Sequence, residues 1–178
     1  MTNPTHEADV TCEGRVGETT LVDGRRIRWR DWGDPAGFPV LALHGLPGSG
    51  RKFSGTHALG IARGQRIIAP DRWGYGGTDR HPAPSLPVFA DDVAALADHL
   101  GIGRFAVLGV SGGGPYAAAV AACLGARITA LALVSPVGPI AGMGERPRLS
   151  AFHHLCFRVL PRTPGILPAA FHLFRLAC

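Results

Sequence analysis

The chain has 178 residues, 46% hydrophobic and only 17% charged, a length that suits one domain with a sizeable core and a composition that excludes intrinsic disorder. Its net charge of +5 is uneven: from Ala141 onward Arg146, Arg148, Arg158, Arg162 and Arg175 stand against Glu145 alone, but the arginines are spread out, so they read as solvated tips on apolar segments and no nucleic-acid partner is expected. Cys12, Cys123, Cys156 and Cys178 show no C-x-x-C spacing, so no zinc or other metal site is expected.

The opening MTNPTHEADVTCEGR lacks an apolar signal core, which predicts a cytoplasmic setting. Residues up to about Val16 read as a mobile tail. Thr19–Val22, Asp23-Gly24 and Arg26–Trp32 predict a hairpin, because Asp-Gly favours the tight turn and Ile27 and Trp29 alternate with arginines. Val40–Leu43 is a short buried strand ending at His44-Gly45. Ser49 to about Arg63 predicts a helix, and Arg66–Ala69 a second buried strand ending at Pro70-Asp71. Pro87–Leu100 predicts a helix with Val88, Val93, Leu96 and Leu100 on its apolar face and Asp91 and Asp92 near its positive end. Phe105–Leu108 predicts a strand, Gly112–Leu124 a helix and Ile128–Val134 a strand. Phe105 to Gly144 carries one charge, Arg127, yet its glycines and prolines divide it into pieces too short to span a membrane. This alternation predicts an α/β fold, a mostly parallel sheet with helices on both faces. Residues 1–140 form that core. Residues 141–178 start within a Gly/Pro-rich linker, and two apolar segments, Leu149–Leu160 and Ile166–Ala177, follow as a partial helical cap.

Gly109-Val110-Ser111-Gly112-Gly113 is a G-x-S-x-G pattern between a predicted strand and a predicted helix. A serine there sits on a sharp turn that lifts its hydroxyl clear of the sheet, and the small neighbours let that backbone pass. The N–H of Gly112 would point outward at the positive end of the new helix, where an oxyanion could form. Two other readings compete. Gly112-Gly113-Gly114-Pro115-Tyr116-Ala117 matches G-x-G-x-x-A, but the dinucleotide reading needs an acid near the end of the next strand, where Val134-Ser135-Pro136 stands. The serine could also be incidental to a glycine-rich turn.

Two upstream motifs weigh against that last reading: His44-Gly45-Leu46-Pro47-Gly48-Ser49 and Asp71-Arg72-Trp73-Gly74-Tyr75-Gly76-Gly77-Thr78-Asp79, each directly after a strand. The three motifs in this order resemble the α/β-hydrolase fold family, in its cap-bearing branch with H-G-x-P-G and D-R-x-G-x-G-x-S-D, over about Thr19 to Ala141. Trp73 replaces a common proline and Thr78 a common serine, neither of which touches the chemistry. The resemblance implies Ser111 as nucleophile, the backbone N–H groups of Leu46 and Gly112 as oxyanion-hole donors, and His44 and Gly45 as the supporting loop. Asp71 and Arg72 tie that loop from below. Serine at this position, rather than aspartate, implies acyl transfer on a small ester, amide or related carbonyl substrate. No cofactor is implied. Cofactor-free haloperoxidases share the elbow.

A serine hydroxyl needs a base, and the base an orienting acid. The family order is Ser, then acid, then His. After Ser111 the only acid is Glu145 and the only histidines are His153, His154 and His172. The family's last strands, with its acid and base, look absent, so the chain reads as a truncated and catalytically incomplete hydrolase. The alternatives are an unusual triad from those residues, or a noncatalytic remnant that binds a small molecule or partner. An apolar sheet edge and apolar cap helices predict self-association.

Overall fold

The computed structural model describes residues 14–138 together with 150, 151, 155 and 162. Contacts divide the chain after Gly138 into Met1–Gly138 and Pro139–Cys178. Apart from residues 150, 151 and 155, the expected cap segments, with Glu145, His153, His154 and His172, lie outside the described residues.

Among the described residues six strands form one mixed sheet in the order β1-β2-β4-β3-β5-β6. β1 (Arg15–Thr20) pairs antiparallel with β2 (Arg26–Gly33), and β2 pairs antiparallel with β4 (Gln65–Pro70). From β4 onward the sheet is parallel, through β3 (Phe38–Leu43), β5 (Phe105–Val110) and β6 (Ile128–Val134). The predicted hairpin is present, but its first strand lies earlier than expected. Arg15 and Val16 are strand rather than tail, and Leu21 and Val22 belong to the turn. The turn closes through Gly24 N–H to Leu21 O at 2.9 Å, with Gly24 at φ +85°, a backbone that glycine adopts without penalty. β1 was hard to read because it is an edge strand with little buried surface, and its Gly17 stands opposite Trp29, whose ring a methyl group there would meet at 2.2 Å.

The helix expected over residues 49–63 is a 3-10 segment, Gly50–Thr56, followed by the short helix α1 (His57–Ala62). Tertiary bonds shape its start. Asp71 Oδ1 accepts from Gly50 N at 2.7 Å, and Trp32 Nε1 donates to Gly50 O at 3.1 Å. Helix α2 (Leu86–His99) starts behind Ser85, whose hydroxyl accepts from Val88 N, satisfying one orphan amide of the first turn. Asp91 and Asp92 therefore fall in the second turn, not at the positive end, and Asp92 is buried in an ion pair with Arg25. Val93 and Leu96 are buried as expected, while Val88 and Leu100 are only half-buried and Phe89 takes the deeper place. Helix α3 (Gly114–Cys123) follows a 3-10 turn, Ser111–Gly113.

Strand alternation sends successive side chains to opposite faces. Leu41, Leu43 and Val107 pack with Phe89 and Val93 of α2 and Ala117 and Val120 of α3. Ala42, Ile67 and Ala69 pack with Trp32 and Phe53 on the other face. The central strands are thus covered on both sides, and the sheet order reverses at β3, which lies between β4 and β5. Ligands of open α/β sheets bind at such a reversal, beyond the strands' carboxyl ends. Among the described residues no helix is long and apolar enough to cross a membrane.

Candidate active site

Three strand ends build the site. β5 ends at Val110, and Ser111 follows at φ +51°, a left-handed conformation that costs a non-glycine residue on the order of 1–2 kcal/mol. The surroundings enforce it. A methyl group on Gly109 would lie 2.6 Å from Ala117 Cβ, and one on Gly113 would lie 2.2 Å from Leu43 O. The glycines of G-x-S-x-G therefore let α3 close against β5 and let the turn pass the end of β3. Val137 N–H donates to Ser111 O at 3.1 Å, so the chain after β6 also holds the elbow. That contact is backbone-mediated and has no residue signature.

β3 delivers His44, Gly45 and Leu46 beside the serine. A methyl group on Gly45 would stand 3.0 Å from Ser111 Cβ and 3.5 Å from its Oγ, and one on Gly112 would stand 3.0 Å from Leu46 Cδ1. The structure thus brings Gly45, Leu46, Ser111 and Gly112 together. The Leu46–Pro47 peptide is cis. Leu46 itself is exposed and Ser111 half-buried, so the cluster faces solvent.

His44 is fully buried. Its Nε2 accepts from Arg72 N at 3.0 Å and its Nδ1 lies 2.9 Å from Gly45 O. Only a neutral ring protonated on Nδ1 satisfies both partners. Burial pushes its pKa down to about 4, and the nearby Arg72 charge acts the same way. Both ring nitrogens of His44 are thus taken up by the backbone of the two loops.

β4 delivers the Asp71–Asp79 loop. Asp71 Oδ1 holds Gly50 N, and Oδ2 accepts from Gly77 N at 3.2 Å. Thr78 Oγ1 accepts from Arg28 N and bonds Arg28 O, so threonine does here what the common serine hydroxyl could do. Trp73 stacks edge-on against Phe89, and its indole N–H reaches Asp92. Arg72 is buried with its guanidinium over the rings of Tyr75 and Tyr116, 5.2 and 4.9 Å from their centroids. Tyr116 and Asp92 had no motif to announce them. They meet this loop only through tertiary packing.

The described histidines are all committed elsewhere. His57 Nδ1 accepts from Gly33 N, His81 Nδ1 accepts from Ala83 N, and His99 Nδ1 meets Thr19 Oγ1. Among the described residues none bonds Ser111 Oγ.

A strained serine between a parallel strand and a helix, faced by a glycine loop from the neighbouring strand, defines an α/β-hydrolase elbow. The family model described as "alpha/beta hydrolase fold" matches residues 39–154, and the chain belongs to that family. Among curated relatives, a non-heme chloroperoxidase of Streptomyces lividans is 35% identical over 127 residues, 70% of this chain and 46% of that protein. A bifunctional esterase/perhydrolase of Acinetobacter calcoaceticus is 34% identical over 128 residues, 70% of this chain and 46% of that protein. An esterase from Exiguobacterium antarcticum superposes with a TM-score of 0.60 at 28% identity, covering 67% of this chain and 44% of that one. The chain spans about half the length of the curated relatives it matches.

Proposed function

We propose that Ser111 is the nucleophile of a hydrolase acting on a small ester, amide or related carbonyl substrate. The observation that carries this reading is Ser111 itself, held at φ +51° between β5 and α3 with Gly45 against its side chain. In the proposed reaction Oγ attacks the carbonyl carbon and its proton passes to a base. The Leu46 and Gly112 backbone N–H groups stabilise the oxyanion. The C–O or C–N bond then breaks, the leaving group takes up the proton, and water hydrolyses the acyl-enzyme. No cofactor enters the scheme. Relatives are named for esterase, perhydrolase and chloroperoxidase activities, so the elbow alone does not select the substrate. A cytoplasmic setting goes with the proposal.

The four described histidines are bonded elsewhere, so on the hydrolase reading a histidine base would have to come from outside residues 14–138. That same observation favours the second reading, a noncatalytic chain that binds a small molecule or partner at a built but unpowered elbow. A fluorophosphonate probe separates the two, with intact mass as readout and Ser111→Ala alongside. Labelling of the parent alone supports the hydrolase and sends the search for the base to His153, His154 and His172. No labelling of folded parent rejects the acyl-enzyme for this chain.

A further inference from the structure

Gly45 O is the acceptor of two donors: His44 Nδ1 at 2.9 Å and an Arg72 guanidinium nitrogen at 3.3 Å. This carbonyl shares its peptide plane with the N–H of Leu46, and the plane is trans, since Leu46–Pro47 is the one cis bond present among the described residues. In a trans peptide the C=O and N–H point in opposite directions. Whatever fixes the Gly45 carbonyl therefore aims the Leu46 N–H the other way.

Arg72 acts on this plane twice. Its backbone N–H holds His44 Nε2 and so selects the Nδ1-protonated ring that donates to Gly45 O. Its side chain donates to the same oxygen directly. The guanidinium is buried, its Nε has no partner, and among the described residues no carboxylate pairs with it. Among them only the faces of Tyr75 and Tyr116 offset its charge, which compensates a buried cation less than a carboxylate would, and a neutral amide could make the same loop tie without burying a charge. The charge has a use if an anion forms nearby only during reaction. A charged donor on one end of a peptide polarises it and strengthens the N–H at the other end.

We infer that Arg72 is a positioning residue for the oxyanion hole: acting through Gly45 O and through His44, it aims and polarises the Leu46 N–H toward the space beside Ser111 Oγ. This rests on the hydrolase reading of Ser111 for its catalytic consequence, but the coupling of Arg72 to Leu46 stands apart from it.

The test uses the full chain and the variants Arg72→Met, Arg72→Gln and Arg72→Lys, with Thr78→Ala as a loop lesion remote from Gly45 O. The first readout is the second-order rate of Ser111 phosphonylation by a fluorophosphonate, in which the Oγ–P bond forms, fluoride leaves and the phosphoryl oxygen gains charge in the same hole. Removing one oxyanion donor outright costs about 100-fold or more, so Arg72→Met is expected to slow labelling at least ~10-fold, with Arg72→Gln intermediate and Arg72→Lys partly restored. Thr78→Ala lowers the melting temperature and keeps the parent rate. The second readout is the backbone 15N shift and amide exchange of Leu46, which needs no base. Leu46 shifts and exchanges faster in Arg72→Met and Arg72→Gln, and returns toward the parent in Arg72→Lys. If Arg72→Met does not fold, Arg72→Gln carries both readouts. Parent-like labelling or an unmoved Leu46 amide overturns the inference. If the parent itself is not labelled, the hydrolase reading falls and the Leu46 amide alone decides the role of Arg72.

Discussion

Trp73 donates its indole N–H to Asp92 Oδ2 at 2.7 Å, and the same carboxylate takes both terminal nitrogens of Arg25 at 2.7 Å each. Three distant stretches meet there: the hairpin turn, the loop after β4 and helix α2. The bonds to Asp92 hold the Arg25 pKa above its ordinary value. Asp92→Ala leaves a largely buried guanidinium and an indole N–H without their acceptor, and is expected to cost about 2–4 kcal/mol. Trp73→Phe loses one charge-assisted bond, about 1–2 kcal/mol. Urea unfolding of the two single variants and the double variant checks this. The Trp73 effect should shrink on the Asp92→Ala background, and strict additivity would show the two residues to be independent.

Gly76 sits at φ +56°, and a methyl group there would lie 1.7 Å from Asp71 Oδ2. That oxygen also accepts from Gly77 N, while its partner oxygen holds Gly50 N. Gly76→Ala must displace a buried carboxylate that ties two loops together. Gly24 also has a positive φ, +85°, but nothing lies within 4 Å of a methyl group there. Gly24→Ala should therefore cost only the backbone term, about 1–2 kcal/mol, and yield folded protein. Gly76→Ala should give little soluble chain. Equal melting temperatures for the two would refute the steric account.

These residues show what sequence could and could not reveal. The elbow and its two partner loops were legible because their demands are local. Gly109 and Gly113 must be small where α3 and β3 press on them, so the requirement is written into a short motif. The buried strands were legible because parallel strands covered on both faces read as apolar runs. The hairpin of β1 and β2 was legible from its turn, but the start of β1 at Arg15 was not, since an edge strand with Gly17 under Trp29 carries no apolar alternation. Asp92 looks like a helix-end charge in sequence, because its partner Arg25 is 67 residues away. Arg72 read as a loop tie, and only the geometry joins it to Gly45 O.

His44 carries a pH dependence with a defined sign. Its folded pKa, about 4, lies below the ordinary 6.5 because burial disfavours the imidazolium. As pH falls, the unfolded chain takes up this proton first. The contribution is therefore fully present above about pH 6.5, falls as pH drops toward about 4, and is flat below that. The whole effect is roughly 3 kcal/mol. His44→Asn keeps a donor and an acceptor without titrating in this range. Its stability should be lower at neutral pH and nearly level between pH 6.5 and 4, apart from the carboxylates. Unfolding midpoints that decline in parallel for parent and variant would assign the pH dependence to other groups.

β6 pairs with β5 on one side, and among the described residues its other edge has no strand partner. Its sequence, Ile128-Thr129-Ala130-Leu131-Ala132-Leu133-Val134, is that of a strand covered on both faces. Yet Leu131 is 42% exposed, Leu133 43% and Val134 49%. Leu131 pairs with Val107 in register and so lies on the α2 and α3 side, while Val134 lies on the opposite side. An open apolar edge recruits another edge unless charge or a bulge blocks it; no Lys, Asp or Glu interrupts this strand, and its register shift at Thr129 lies near its start, before Leu131–Val134. The full chain should therefore self-associate as its concentration rises. Placing two charges on one face, with Leu131→Lys and Leu133→Lys together, should shift it toward monomer at a small cost in stability, because both side chains are already largely solvated. Sedimentation velocity over a concentration series reads this directly. A parent that stays monomeric and unfolds in one cooperative step would show that the edge is protected, and association that survives both lysines would move the contact elsewhere on the surface.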